Sequence, residues 1–380
     1  MEIRYDYQYL VHLISCAVHD LQPQEKPQDV SFANVFAIGK VHEVANIAFL
    51  SVQKLNNKPD AELYNEWQVF YFHSVQRNAR QVAQYGKLTD LLTQNNIRWT
   101  EAQGTITKTF YPAPELRMMS DIDFIVDAES IDKIAELMRE CGWEANIVHE
   151  NELNVYPEKE TGIEFHTEFF KEFYKGSGER YSGAINHPFS HAAPSADNPC
   201  KYVLDDTHFY LYSLLHTIKH FEYAGCGIRR ILDLYYLQKA LGDKVDSNYI
   251  NTVLDKYDFA ENANKLFALE RYWFEGETPE TDLSETVKDI ILSGNHGTND
   301  IHLRNDLRRS AEGSTLAKAK RNRVKNFLFP TLEELYEGHH EYEEKGYSLA
   351  KSRFMRAVEN LKPQRLKHMF TFFKRVKKSK

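Results

Sequence analysis

Little in this chain suggests a framework held by covalent or metal staples. The 380 residues contain four cysteines, Cys16, Cys141, Cys200 and Cys226, which are far apart and form no Cys-x-x-Cys pair. That spacing argues against a disulfide scaffold and a zinc knuckle, and buried reduced thiols are the expectation. Glycine (17) and proline (12) are sparse, which favours helices over a turn-rich β-sandwich. No run reaches the ~20 apolar residues of a membrane-spanning helix. The first ten residues, MEIRYDYQYL, carry charges where a signal peptide needs an apolar centre, so a cytosolic protein is expected. Net charge is −8, which argues against a uniformly basic nucleic-acid coat.

What is present is apolar and aromatic. A hydrophobic fraction of 42%, with 23 Phe and 22 Tyr, is enough to bury several cores and excludes global disorder. Charge is segregated. The last twenty residues hold eight basic side chains and no acid, so the other 360 carry −16. Within this tail Leu366, Met369, Phe370, Phe373 and Val376 share one side of a helical projection. Such a segment can dock on the acidic body, bind an anionic membrane or bind RNA, and docking is the expectation.

The chain divides into four stretches. Residues 1–87 read as a helical segment, in which Val69, Phe72, Val75 and Val82 form an apolar stripe that Leu88, Leu91 and Leu92 extend. Residues 88–195 read as an α/β core. Strands are expected at Ile97–Ala102, Asp123–Val126, Trp143–His149 and Gly162–Phe170, with a helix over Ile131–Cys141 capped by Ser130 and stopped by Gly142. Residues 196–360 return to helix, strongest at Phe209–Phe221 and Ile228–Ala240, and 361–380 form the basic tail. The fold class is therefore α+β, a small mixed sheet embedded in a largely helical chain.

Chemistry concentrates at Arg117-Met-Met-Ser-Asp-Ile-Asp-Phe-Ile-Val126. In an extended segment Asp121 and Asp123 project to one side, ~6–7 Å apart at the backbone. Two ionised carboxylates at that distance repel by about 3 kcal/mol at an effective dielectric of 20. A cation between them removes the conflict, and Mg²⁺ takes one or two carboxylates together with substrate phosphates. Downstream, alternation in Ile163-Glu-Phe-His-Thr-Glu-Phe places Glu164, His166 and Glu168 on one face and Phe165 and Phe169 on the other. A third carboxylate from Glu164 suits a two-ion site for phosphoryl displacement. A solvent-facing polar stripe is the alternative.

In their order these motifs resemble one superfamily. Gln103-Gly104, Tyr111-Pro, Arg117, Ser120-Asp-Ile-Asp-Phe-Ile-Val and Ile163-Glu-Phe-His are similar to the nucleotidyltransferases of polymerase-β-type fold. The closest branch is the bacterial uncharacterised nucleotidyltransferase family. Its helical His…Lys-His…Gly-x-Arg…Asp segment is matched by Leu215-His-Thr-Ile-Lys-His-Phe and Gly227-Ile-Arg-Arg-Ile-Leu-Asp233, with echoes at Ser293–Gly297 and Phe329-Pro330. The resemblance implies transfer of a nucleoside monophosphate from an NTP such as ATP to an unidentified acceptor, with release of pyrophosphate. It implies Mg²⁺ or Mn²⁺, two ions, on Asp121, Asp123 and Glu164. It places Gln103, Gly104, Arg117 and Ser120 against the nucleotide. One departure stands out: the small Gly-Ser signature is absent, and the branch's Lys-Gly is Gln103-Gly104, so Arg117 or Lys108 would supply the missing charge.

His216 and His220 share a helical face, but Thr217 stands where a zinc protease carries Glu, and no third ligand is evident. Lys219, His220 and Arg229 suit phosphate or base contact, with Asp233 orienting Arg229, or else an interhelical polar network. His166 suits a supporting place beside Glu164. Two other functions fit these residues: a nucleotide-binding regulatory protein without catalysis, and a toxin-like enzyme modifying RNA or protein.

Overall fold

The computed structural model describes residues 3–148, 152–158, 161–170, 177–311, 315–332, 335, 342, 345–360 and 371–377. The chain separates into two units, one of Met1–His220 with Cys226–Asn295, the other of Phe221–Gly225 with His296–Lys380. All four cysteines are free. Among the described residues no helix is long and apolar enough to cross a membrane.

The first unit opens with helices α1 (Ile3–Val18), α2 (Phe32–Val41), α3 (Ala45–Val52) and the 34-residue α4 (Ala61–Gln94), followed after the first strand by the short α5 (Gln103–Thr107). Buried Asp6 joins the first two by accepting from the Ser31 and Asn34 nitrogens, both at 2.8 Å. Asn46 donates to the Glu115 and Leu116 carbonyls at 3.1 and 2.9 Å, so the helical segment holds the loop that leads to the acidic strand. The expected apolar stripe of α4 is on the wrong side: Val69, Phe72 and Val82 are exposed. The buried side instead carries Trp67, Ser74, Gln81, Gln84, Leu88 and Leu92. Hydrogen bonding explains the reversal. Trp67 donates to the Ala45 carbonyl at 2.7 Å and Gln81 to the Met119 carbonyl at 3.0 Å, satisfying main-chain groups that a valine face would orphan.

Seven strands form one mixed sheet: β1 (Trp99–Glu101), β2 (Asp121–Val126), β3 (Glu144–Ile147), β4 (Glu152–Glu158), β5 (Thr161–His166), β6 (Ala192–Pro194) and β7 (Lys201–Leu204). Their order is β3-β4-β5-β2-β1-β7-β6. The β2/β5 and β1/β7 pairs are parallel and the others antiparallel. Period-two alternation sends Ile122, Phe124 and Val126 of β2, Leu153 and Val155 of β4, and Ile163 and Phe165 of β5 into one core. Leu88 and Leu92 of α4 and the apolar side of α6 (Ile131–Glu140) close that core. Every acid of β2 and β5 is thereby turned to the opposite face.

Several expectations change in detail. β5 ends at His166, not Phe170, because Phe169 and Phe170 turn to pack on Tyr212 at 4.5 and 5.6 Å between ring centres. Glu168 therefore lies beyond the strand and is exposed. Ser130 makes no side-chain cap, since its backbone is already helical inside the short turn Ala128–Ser130. Gly142 does end α6, at a φ of +78° that favours glycine. β6 and β7 were not anticipated. They are three and four residues long, and β7 is drawn in by Lys201, 2.7 Å from Glu101 of β1. His149 and Asn151 lie outside the described residues.

Helices α7 (Ser177–Ala184), α8 (Asp206–Tyr223), α9 (Ile228–Leu241), α10 (Ser247–Lys256), α11 (Ala260–Phe274) and α12 (Ser284–Ser293) follow. In the second unit α13 (Asn299–Ala311) and α14 (Leu316–Leu328) pack through Leu303, Leu307 and Ala319. Of the basic tail, residues 361–370 and 378–380 lie outside the described residues. Residues 371–377 are helical, Val376 is buried in that same cluster, and Arg375 meets Asp300 at 2.8 Å. Val376→Asp is expected to place an unpaired charge there and destabilise the helical unit by ~2–4 kcal/mol. A melting curve superimposable on wild type would show the contact to be dispensable.

Candidate active site

β2 and β5 run parallel in a register that sets Asp123 beside Glu164 and Ile125 beside His166. β4 adds Glu152 beside His166 from the other flank. These pairings explain why the polar residues meet: adjacent strands are ~4.8 Å apart, and directly paired side chains leave the sheet on the same face. His166 Nε2 lies 3.8 Å from Asp123 Oδ1 and 3.6 Å from Glu164 Oε2, while its Nδ1 lies 3.7 Å from Glu152 Oε1. Asp123, Glu164 and His166 each offer a ligand atom within 4.8 Å of the others, an arrangement able to hold a metal ion. Asp121 shares the face two residues earlier but is not within that cluster.

The electrostatics record the crowding. Burial, then Asp123 and Asp121, push Glu164 up to about 7, with His166 opposing. Burial and Asp123 also raise Asp121, against a hydrogen bond from Ser120 and the charges of Arg229 and Arg230. Burial by itself would neutralise His166, but Asp123, Glu152 and Glu164 outweigh it and hold the imidazole above its ordinary value. The imidazole, which favours its protonated form more than a free histidine does, stands among the carboxylates where a cation would sit.

The remaining candidates fall into two networks. Arg117 is fully enclosed, and its Nε and second guanidinium nitrogen donate to the two Asp233 oxygens at 2.8 and 2.9 Å. Tyr111 donates to Asp233 at 2.7 Å, and Arg117 reaches the Gly104 carbonyl at 3.3 Å. Asp233 therefore orients Arg117, not Arg229 as its place one turn along the helix suggested. The planar fork of Arg117 matches the Asp233 carboxylate in two-point contact, while Arg229 is taken by Glu43. Burial opposes the charge on Asp233, yet Arg117 and then Arg229 hold it below the usual range. Gly104 sits in a tight place: a Cβ there would meet the Met119 methyl at 3.0 Å and Arg117 at 3.4 Å, so a larger residue requires the end of the methionine to move.

In the second network the Gln103 carbonyl accepts from His216 Nδ1 at 2.5 Å, so that side chain is committed to α8. His220 and His216 face one another at 3.3 Å, and Arg230 donates to His220 Nε2 at 3.0 Å. Burial and the neighbouring cations keep both imidazoles well below their ordinary values, hence neutral. Lys219 lies over the Phe170 ring at 5.6 Å. Arg229 is paired with Glu43 at 2.7 Å and donates to the Met118 carbonyl. Glu43 in turn accepts from Asn295 at 2.8 Å, which gives the Ser293–Gly297 echo a structural role.

Three participants escaped the sequence reading. Glu152 and Glu43 sit in stretches with no motif, and only strand pairing or helix packing brings them in. Arg230 was passed over for its neighbour Arg229. It is buried, its Nε has no hydrogen-bond partner, and no carboxylate bonds it among the described residues. Burial and Arg229 lower it only to about 10, so it stays charged and stabilises the ionised form of Asp121. Its signal was the doubled arginine after Gly227.

The model of the uncharacterised nucleotidyltransferase family matches residues 28–275, a stretch that contains the acidic strands and both networks except Asn295. The chain belongs to that family. It is accordingly a nucleotidyltransferase-family enzyme by descent, with a mixed sheet inside a helical chain. Among curated proteins none matches it. Of solved structures it is similar to the antibiotic-resistance factor ANT(2'')-Ia, at 11% identity and a TM-score of 0.34, over 51% of this chain and 97% of that one.

Proposed function

We propose that this nucleotidyltransferase moves a nucleoside monophosphate from an NTP to a hydroxyl or phosphate acceptor. The acceptor oxygen bonds to the α-phosphorus, the bond from that phosphorus to the bridging oxygen breaks, and pyrophosphate leaves. The observation that carries the reading is the parallel register of Asp123 with Glu164, with Asp121 on the same face. Three carboxylates on one face, with Asp121 and Glu164 pushed up by burial and by Asp123, are costly to fold unless a cation or a reaction uses them.

The donor set fits divalent magnesium or manganese, because carboxylate oxygens are hard ligands. Asp121 and Asp123 would hold the ion that carries the triphosphate, and Glu164 would join Asp123 at a second ion nearer the acceptor oxygen. When bound, the ions would neutralise the triphosphate and draw electron density from the α-phosphorus. Arg230, charged and without a carboxylate partner, is the side chain we assign to the triphosphate, ahead of Lys219, His220 and Arg229. Gln103 and Gly104 shape the turn beside it, and the Ser120 hydrogen bond favours the ionised form of Asp121 against burial and Asp123. Arg117 and Asp233 are positioning residues that lock this turn to α9. His166, whose Nδ1 faces Glu152, would stand beside such an ion. For the tail, the packing of Arg375 and Val376 favours an intramolecular role over RNA or membrane binding.

Glu164, arriving from the neighbouring strand, would bear on the acceptor oxygen's proton, so removing its charge should cost the transition state more than the ground state. Glu164→Gln is expected to keep Mg·NTP affinity within a few-fold while lowering turnover by ~10²-fold or more. Calorimetry and single-turnover transfer measure the two quantities separately. Normal turnover in a folded mutant would remove Glu164 from the mechanism. Affinity lost in parallel with turnover would assign it to binding alone.

A further inference from the structure

Glu270 of α11 is a buried carboxyl that the transfer site does not use. It is 1% exposed, and its Oε1 has no hydrogen-bond partner. The nearby cation is diverted: Arg271 Nε binds Glu277 at 3.0 Å. Glu270 lines a cavity of about 340 Å³ between α8, α9, α10 and α11, built from none of the acids of β2, β4 and β5. Ile250, Leu254 and Phe267 supply apolar walls, and Asn251 stands at the exposed rim. Tyr210 and Gln238 are already satisfied by each other, the phenol donating to the amide oxygen at 2.5 Å. The cavity thus brings one buried acidic group without a hydrogen-bond partner to a space of small-molecule size, whose wall mixes these apolar side chains with Ser247, Asn251, Arg271 and Glu275.

We infer that this cavity is a binding site for a small primary amine with an apolar body, its ammonium on Glu270 and its body against Phe267, Leu254 and Ile250. A buried polar atom left unbonded is unfavourable, and an entering N–H donor removes that cost. An entering ammonium would also form a charge-assisted bond of the stronger class. Burial, followed by Glu275, pushes Glu270 up to about 8 against Arg271, with Glu277 adding to the rise. Tyr210, whose phenol burial and Glu270 raise, is the titratable group facing it from α8. At neutral pH the empty site holds a proton, and amine binding releases that proton to solvent. The two helices α8 and α9 also carry His216, Arg230 and Asp233, so an occupant here rests on the scaffold of the transfer site.

The test uses the full chain with 2-phenylethylamine and, as its neutral counterpart, 2-phenylethanol, by titration calorimetry at pH 7 in two buffers of different ionisation enthalpy. The amine is expected to bind at least ~10-fold more tightly than the alcohol, with proton release. Glu270→Gln should bind the two alike, its melting temperature serving as the folding control. Asn251→Trp, a change at the exposed rim, should close the chamber and lose both ligands. The inference is overturned if neither probe binds wild type, or if amine and alcohol bind equally. Full amine affinity in either variant would overturn it as well. Loss of transfer activity in Asp123→Asn has no bearing on these outcomes.

Discussion

Asp123→Asn should reduce nucleotidyl transfer by ~10³-fold or more in a protein that still folds. Asp123 is paired in register with Glu164 and reaches His166, so one substitution removes the centre of the acidic group. Groups aimed at transition-state charge are individually worth ~10²–10³-fold, and one that also holds an ion should lie at or beyond the upper end. The assay is incubation with each α-labelled NTP and Mg²⁺ or Mn²⁺, followed by mass analysis of a cell extract for species heavier by one nucleotide. A second readout separates chemistry from structure. Without Asp123 the His166 imidazole loses its strongest anionic support, and its titration midpoint by NMR should fall. Turnover within ten-fold of wild type would place the chemistry elsewhere on the molecule.

The largest effect on stability is expected at the opposite end of the site. Asp233→Ala leaves Arg117 and the Tyr111 hydroxyl without their shared partner, both enclosed by protein. Removing one member of a buried ion pair costs about 3–5 kcal/mol, because the remaining charge is uncompensated. The double replacement Asp233→Leu with Arg117→Met should cost less than the single change, since no orphaned charge remains. The pH dependence has a definite sign. Asp233 titrates below its unfolded value of ~3.9, so its contribution is fully present above that pH and is lost as pH falls through the folded value. Melting temperatures of wild type and Asp233→Ala should therefore differ widely at pH 6 and converge below pH ~4. A gap that persists unchanged into strong acid would mean that the carboxylate's charge is not what stabilises the network.

The acidic group was legible because it obeys a local rule. Asp121 and Asp123 alternate with Ile122 and Phe124, and Glu164 and His166 alternate with Ile163 and Phe165. A half-buried strand with one apolar face must turn its polar residues together, whatever surrounds it. The family resemblance rested on those same residues in order. The helices flanking Ala224–Gly227 were readable for a similar reason, being long apolar runs broken by glycine.

The stripe on α4 shows where local periodicity stops. Val69, Phe72 and Val82 have the spacing of a buried face, yet Gln81 is buried because a carbonyl at Met119, far along the chain, needs a donor. No window of sequence around α4 contains that carbonyl. The partners of Asp233 and Arg229 were hidden in the same way. Asp233 lies one turn from Arg229 on α9, and proximity along a helix suggested a pair. In the folded chain Arg117 and Glu43 arrive from other elements and take both partners.

The amino-acid sequence by itself determined the α+β class, the strand that bears Asp121 and Asp123, and the face on which Glu164 and His166 stand. All of these follow from alternation within a few consecutive residues. Tertiary structure decided which groups meet that face: Glu152 from β4, Arg230 from α9, and the cation-like placing of His166 among the acids. It also made Glu270 a buried group without a partner, by closing four helices around a chamber. The physical reason is that charge pairing and desolvation depend on distance in space, and the chain brings these residues together only once its sheet and helices are packed.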